Sequence, residues 1–166
     1  MKYLLALCLS ACTPQEFQPV AHYPSYSLTV DETAIDFKDT SVAIVRAFRE
    51  RAPGLFVDYG AAVITVKKAD ATDSAKWGNI VGYANEDGPG EFSILLRDTV
   101  SPFAGTRTHN LIIHEIGHCL GLTHSLDVDN VMYQSLQSSA SIEVSVGQII
   151  KALVDKVLLK KDKVQS

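Results

Sequence analysis

Two hydrophobic periods run along this chain and mark out its elements. Alternation of apolar and polar positions, which sends every second side chain to one face of a sheet, runs through SYSLTV at residues 25–30. Strand-like runs follow at GLFVDY (54–59), AAVITVK (61–67), NIVGYAN (79–85) and EFSILLRD (91–98), the last two joined by the turn-rich EDGPG. Between them a helical period takes over. DTSVAIVRAFRERAPG predicts a helix capped by Asp39 or Thr40, with Val42, Val45 and Phe48 or Ala47 turned inward and Pro53-Gly54 ending it. The polar stretch from Lys68 to Ser74 is expected to be a surface loop. A second loop, through Ser101, Pro102 and Gly105, leads into a helix capped by Thr106 or Thr108. After the polar QSLQSSAS, the segment SVGQIIKALVDKVLLKKDK predicts a last helix. Ser145 and Gln148 are expected to form its capping box, and Val146, Ile149, Leu153 and Val157 its apolar stripe.

At 166 residues and 46% apolar content, the chain can bury one ordinary core, and two domains would be cramped. The formal charge of -4 and the lack of a dense Lys/Arg cluster speak against a nucleic-acid partner. The N-terminus changes the picture more. An apolar run from Tyr3 to Leu9 after Lys2 is far short of the ~20 residues that span a bilayer as a helix, but it suits a secretory signal. Its end, Leu9-Ser10-Ala11-Cys12, resembles the bacterial lipobox, which implies cleavage after residue 11 and a lipid on Cys12. Residues 1–11 are thus read as a signal peptide, 12–24 as a polar, proline-punctuated tether and 25–166 as the domain. The expected location is the cell envelope, facing the periplasm or exterior on an outer-membrane anchor, or else secretion. With Cys8 removed and Cys12 acylated, Cys119 stands alone, so no disulfide framework is implied.

The chemistry lies in NLIIHEIGHCLGLTHSLDVDNVMY, which holds three of the five histidines. On a helix, residues four apart lie ~6 Å from each other along one face, so His114 and His118 can reach one metal ion. Gly121 tolerates the left-handed conformation that ends a helix and turns the chain, which brings His124 back as a third ligand. Three imidazoles leave a tetrahedral Zn²⁺ one open position, the arrangement of catalytic zinc. Glu115, beside a ligand but pointing off the metal, is placed to take the proton of an activated water and pass it to a leaving nitrogen. The residue types therefore fit amide hydrolysis. Five fixed identities, H-E-x-x-H-x-x-G-x-x-H, arise by chance on the order of once in 10⁵ sequences of this size.

HEIGHCLGLTH followed by NVMY is the metzincin signature with its methionine turn. Ser125, Asp127 and Met132-Tyr133 agree with the form HSxD…LMY, and GNIVGYAN is similar to a GxLGYA segment, so the chain resembles a bacterial matrixin. That resemblance implies an α+β, zincin-like single domain: a twisted mixed sheet of five strands with an active-site helix and a C-terminal helix. It implies one catalytic zinc on His114, His118 and His124, with Glu115 as general base and Met132 as an apolar floor. Tyr133 becomes a wall of the substrate pocket rather than a ligand. The strand from Asn79 to Ala84 becomes the antiparallel edge along the cleft, where Gly82, Tyr83 and Ala84 can hold an extended peptide through backbone hydrogen bonds. Calcium is not supported, because EDGPG follows that strand instead of preceding it. Cys119 is expected to be buried, and His109 and His22 to be surface residues. Oligomeric state is silent in the sequence. The expected function is a zinc endopeptidase acting on extended polypeptides. Two alternatives share the metal: a catalytically silent surface lipoprotein that binds a partner, and a zinc amidase acting on cell-wall peptides.

Overall fold

A computed structural model describes residues 23–102, 104–135 and 140–164. Four strands and four α-helices follow in order: β1 (Tyr26–Val30), a 3₁₀ helix (Glu32–Phe37), α1 (Lys38–Arg51), β2 (Ala62–Lys68), α2 (Ala71–Ala75), β3 (Gly82–Gly88), β4 (Glu91–Leu96), α3 (Thr106–Cys119) and α4 (Ile142–Val164). The strands form one sheet in the order β1-β2-β4-β3, parallel except for the antiparallel β3 at the edge. The expected single α+β domain with an antiparallel edge is therefore found. The signal peptide, the lipid-bearing Cys12 and His22 lie outside the described residues. Among the described residues no helix is long and apolar enough to cross a membrane.

The sheet has four strands, not five, because GLFVDY pairs at a single position. Tyr26 accepts and donates one backbone bond each way with Val57 and Leu55, and the bridge to Phe56 goes no further. Phe56 and Ala62 both sit level with Tyr26, on opposite sides of β1. The few residues between them must cross under the strand and cannot also run beside it. Gly60 makes that crossing possible, since a Cβ there would fall on the backbone of Tyr26 and Ser27.

One face of the sheet carries the core. Ile64, Val66, Ile94 and Leu96 have no exposed surface and pack with Ile44 and Phe48 of α1, Ile112 and Ile116 of α3, and Val146 and Ile149 of α4. The other face is polar, with Thr29 and Thr65 hydroxyls 3.1 Å apart and Lys67 3.6 Å from Asp87. That one-sided burial is what the alternating pattern demands of an antiparallel or mixed sheet covered once.

Several local expectations are corrected. Ser41, Ile44, Ala47 and Phe48 form the buried stripe of α1, while Val42 is 61% exposed, because the helix begins at Lys38 behind a 3₁₀ turn capped by Asp31 and its face is rotated accordingly. The Lys68–Ser74 loop contains the short α2. The glycine-rich EDGPG extends β3 to Gly88 through an irregularity after Glu86, so only Pro89 and Gly90 turn. Gly105, not Thr106 or Thr108, precedes α3; Thr108 Oγ1 donates instead to the Ser101 carbonyl at 2.6 Å. Ser145 and Gln148 lie inside α4, which starts earlier, and Ser141 occupies the capping place. The side chain of Val157 and residues 136–139 of the QSLQSSAS loop are outside what is described, while Val146 and Ile149 are buried as the stripe predicts.

Candidate metal centre

Helix α3 is enclosed along most of its length: its residues from Asn110 to Cys119 are all buried, Leu111, Ile112, Ile113, Ile116 and Cys119 in the core and Asn110, His114, Glu115 and His118 as polar groups that need partners. It packs on β3 and β4 and against α1 and α4. Two glycines fix its seating. A Cβ at Gly82 on β3 would meet Leu111 Cδ1 at 3.3 Å, so the missing side chain lets the helix lie against the edge strand. A Cβ at Gly117 would collide with Met132 and come within 2.8 Å of Ile149 Cδ1, so this face of the helix rests directly on the methionine. Met132 is 2% exposed and packs against this face of the helix.

The helix ends as Gly121 predicts. Its φ is 81°, its N–H donates to the His118 carbonyl at 2.8 Å, and the Leu122 N–H reaches back to the Gly117 carbonyl at 2.9 Å. These two bonds are the αL termination that reverses the chain. Lys156 of α4 donates to the Gly121 carbonyl, adding a cation to the negative end of α3. Beyond this turn the His124 ring comes back over the helix, with its centroid 4.9 Å from that of His118 and 5.4 Å from that of His114.

The hydrogen bonds fix which nitrogens face inward. His114 Nδ1 donates to the Val131 carbonyl at 2.7 Å and His118 Nδ1 to the Leu122 carbonyl at 2.9 Å. A carbonyl can only accept, so both Nδ1 atoms carry protons. Both rings are neutral: burial, then the neighbouring His118, push the His114 pKa down to about 3, against the pull of the Val131 carbonyl. Burial likewise lowers His118 to about 4, and it lowers His124 as well. The Nε2 lone pairs of His114 and His118 therefore point at each other, 3.1 Å apart, with no proton between them. Such a pair repels unless a cation lies between, and tetrahedral zinc at 2.0–2.1 Å from each nitrogen would hold them ~3.3 Å apart. The third ring completes the test. His124 Nε2 is buried without a hydrogen-bond partner among the described residues, and the three ligand atoms all lie within 4.8 Å of one another. An orphaned buried ring nitrogen is costly, and a metal bound to its lone pair would satisfy it. The set fits one zinc ion.

The loop after His124 supports the site from below. Ser125 N–H donates to the Met132 carbonyl, Asp127 accepts from Asp129 N–H at 3.0 Å, and Asn130 Oδ1 accepts from Met132 N–H at 2.9 Å. Gln148 of α4 then grips the loop from outside: its Oε1 accepts from Val131 N–H at 2.8 Å and its Nε2 donates to the Asp129 carbonyl at 3.1 Å. The Val131 carbonyl that orients His114 is thus itself held by α4. The sequence pattern marks Gln148 only as a helix cap, since no local pattern ties it to a loop 17 residues away. Asn110 and Ser145 form a second link, Ser145 Oγ donating to Asn110 Oδ1 at 2.7 Å between two fully buried groups.

Glu115 follows His114 on α3 and is fully buried. Tyr133 is half-buried at the end of the loop, bridged to Ser125, and Leu126, which follows Ser125, is 98% exposed. On β3, Arg97 N–H donates to the Val81 carbonyl, which makes Tyr83 with Leu95 a hydrogen-bonded pair and leaves Gly82 and Ala84 directing their backbone groups away from β4. Of the three edge residues, two face outward in the backbone, while the Tyr83 ring packs edge-on against Trp77 at 4.9 Å. Trp77 escaped the sequence reading because it lies in no strand or motif. Cys119 is fully buried, and burial followed by the Glu115 charge pushes its thiol well above its ordinary value, which suits core packing and not metal binding. His109 is half-buried, with Nε2 3.4 Å from the Ala140 carbonyl.

A family model described as matrixin, peptidase family M10, matches residues 23–149. Among solved structures, archaemetzincin from Methanopyrus kandleri is similar, with 13% identity and a TM-score of 0.49 over 79% of this chain and 96% of that one. None of the curated proteins compared matches the chain.

Proposed function

We propose, from the premise that this chain belongs to the matrixin family and is a zinc metallopeptidase, that it is an endopeptidase cutting extended polypeptides. The observation that carries the reading is the convergence of three neutral imidazoles, one with a buried Nε2 that lacks a partner among the described residues. Bound zinc supplies Lewis acidity towards an amide carbonyl and towards water. Everything else falls to the chain's own residues. Glu115 takes the proton from the attacking water and delivers it to the leaving nitrogen. The outward backbone groups of Gly82 and Ala84 hold the substrate as an added antiparallel or parallel strand, and Tyr133 walls the pocket beyond the cut.

One observation favours a second reading, a zinc-bearing domain that binds without cleaving: Glu115 has no exposed surface, and a base must be reached by water. Cleavage of a diverse peptide library by the zinc-loaded protein, with Glu115→Gln as control, separates the two. Cuts made by the wild type and missing with the variant support the endopeptidase. A folded, zinc-bearing wild type that cuts no peptide establishes the binding reading, and release of fragments from purified cell wall alone would point to the amidase.

The lipobox-like segment supports a further part of the proposal, anchoring at the envelope through Cys12. In a bacterial host, incorporation of labelled palmitate that disappears with Cys12→Ser is the expected result; equal labelling of both proteins would rule the anchor out.

A further inference from the structure

The sheet has a second open edge, and a groove runs along it. Tyr26 uses its N–H and C=O on the side away from β2, so by alternation Leu28 and Val30 direct theirs to that side as well. Beyond Val57 no strand among the described residues covers them, because the would-be fifth strand has crossed under β1. A groove of about 660 Å³ lies there between β1 and α1. Its apolar lining is Leu28, Val30, Ile35, Val42 and Val45, of which Ile35 is 55% and Val42 61% exposed. Ser41, whose buried hydroxyl has no partner among the described residues, also lines it.

Charge selects the occupant. Lys38, Arg46 and Arg49 line the groove against one acid, Asp58, which Arg49 holds at 2.5 Å. A second copy of this chain would bring the same cations to the same edge and be repelled, a common way of keeping edge strands apart. An acidic strand would be attracted. We propose that the β1 edge binds an extended, acidic segment of a partner polypeptide as a fifth strand. Its backbone bonds to Leu28 and Val30, its apolar side chains sit on Val42 and Val45, and its carboxylates meet Lys38 and Arg46. The site is separate from the histidines, at the opposite edge of the sheet.

The test uses the zinc-loaded protein and a labelled ten-residue peptide of alternating valine and glutamate, followed by fluorescence anisotropy and by amide shifts in ¹⁵N spectra. Binding is expected to shift Leu28 and Val30. It should weaken at least tenfold with the Lys38→Glu/Arg46→Glu pair, with Val42→Asp, and with a peptide N-methylated at alternate amides; the valine–lysine counterpart should bind at least tenfold more weakly. Both protein changes are on exposed positions of α1, and an unchanged circular dichroism spectrum verifies folding. The proposal is overturned if the peptide fails to bind, if Val42→Asp leaves binding intact with shifts confined to Gly82 and Ala84, or if sedimentation shows a dimer that Val42→Asp dissociates.

Discussion

The two edges of this sheet are built from opposite materials. At the β3 edge the strand is antiparallel, closes a hairpin and carries Glu86 and Asp87 on exposed or half-exposed positions; the histidine helix lies directly against it, seated by Gly82. At the β1 edge the strand is parallel, its lining is aliphatic and its flanking charges are Lys38, Arg46 and Arg49. On the proposed reading, the difference lets one fold separate reaction from recognition. A cutting site needs a strand beside a rigid reactive centre, and α3 supplies that rigidity through burial. A docking site needs only an unpaired edge with a selective rim, and the early departure of residues 57–61 leaves one. The two should respond to different changes.

The largest expected effect breaks them apart most sharply. Glu115→Gln should lower peptide hydrolysis by at least about a thousandfold, in keeping with loss of general acid–base assistance, which is worth 10²–10⁴. The same variant should leave affinity of the β1 edge for the valine–glutamate peptide within about twofold. Initial rates and anisotropy on one preparation measure both, and a parallel loss of peptide affinity would merge the two sites into one. Next comes His124, the one ligand outside the helix. His124→Ala should reduce zinc affinity by more than the roughly 10–100-fold that loss of a supporting hydrogen bond produces, as read by competition with a chromophoric chelator. Peptide binding at β1 should again hold.

Packing contrasts come third. Gly117→Ala places a methyl on Met132 and Ile149 and should destabilise the protein by about 1–3 kcal/mol in urea unfolding, as overpacking of a core does. Val42→Asp, on the open face of α1, should change stability by less than about 0.5 kcal/mol. A large effect at Val42 would mean that the groove is part of the core, and the distinction between the edges would fail.

What was legible in the sequence follows the same division. The metal ligands lie within eleven residues, from His114 to His124, and their geometry is set by helix pitch and one glycine, both local rules. The antiparallel edge was legible only through family resemblance, and the strand begins at Gly82, not Asn79. The missing fifth strand was not legible at all. GLFVDY has the composition of a strand, but pairing depends on register against β1, where Phe56 and Ala62 both compete for the level of Tyr26. The same holds for Ser145 and Gln148. As letters they spell a helix cap, and only the docking of α4 on α3 turns them into partners of Asn110 and of the loop that orients His114.

The smallest expected effect is one of pH, and it too separates the edges. His114 and His118 have folded-state pKa values of about 3 and about 4, below the ordinary 6.5, so between those limits the unfolded chain binds more protons than the folded one. In the zinc-free protein, stability supplied by the neutral rings is intact above pH 6.5 and drains away as pH falls towards 4 and then 3. From pH 7 to 6 the loss should be about 1.4 kcal/mol for the two rings together, measurable as a lower urea midpoint. At the β1 edge no histidine is among the residues lining the groove. Affinity there should stay level from pH 7 to 6 while zinc-free stability declines. A fall in affinity that tracks the unfolding midpoint would show that the groove depends on the histidine segment, and the two edges would then be one cooperative unit.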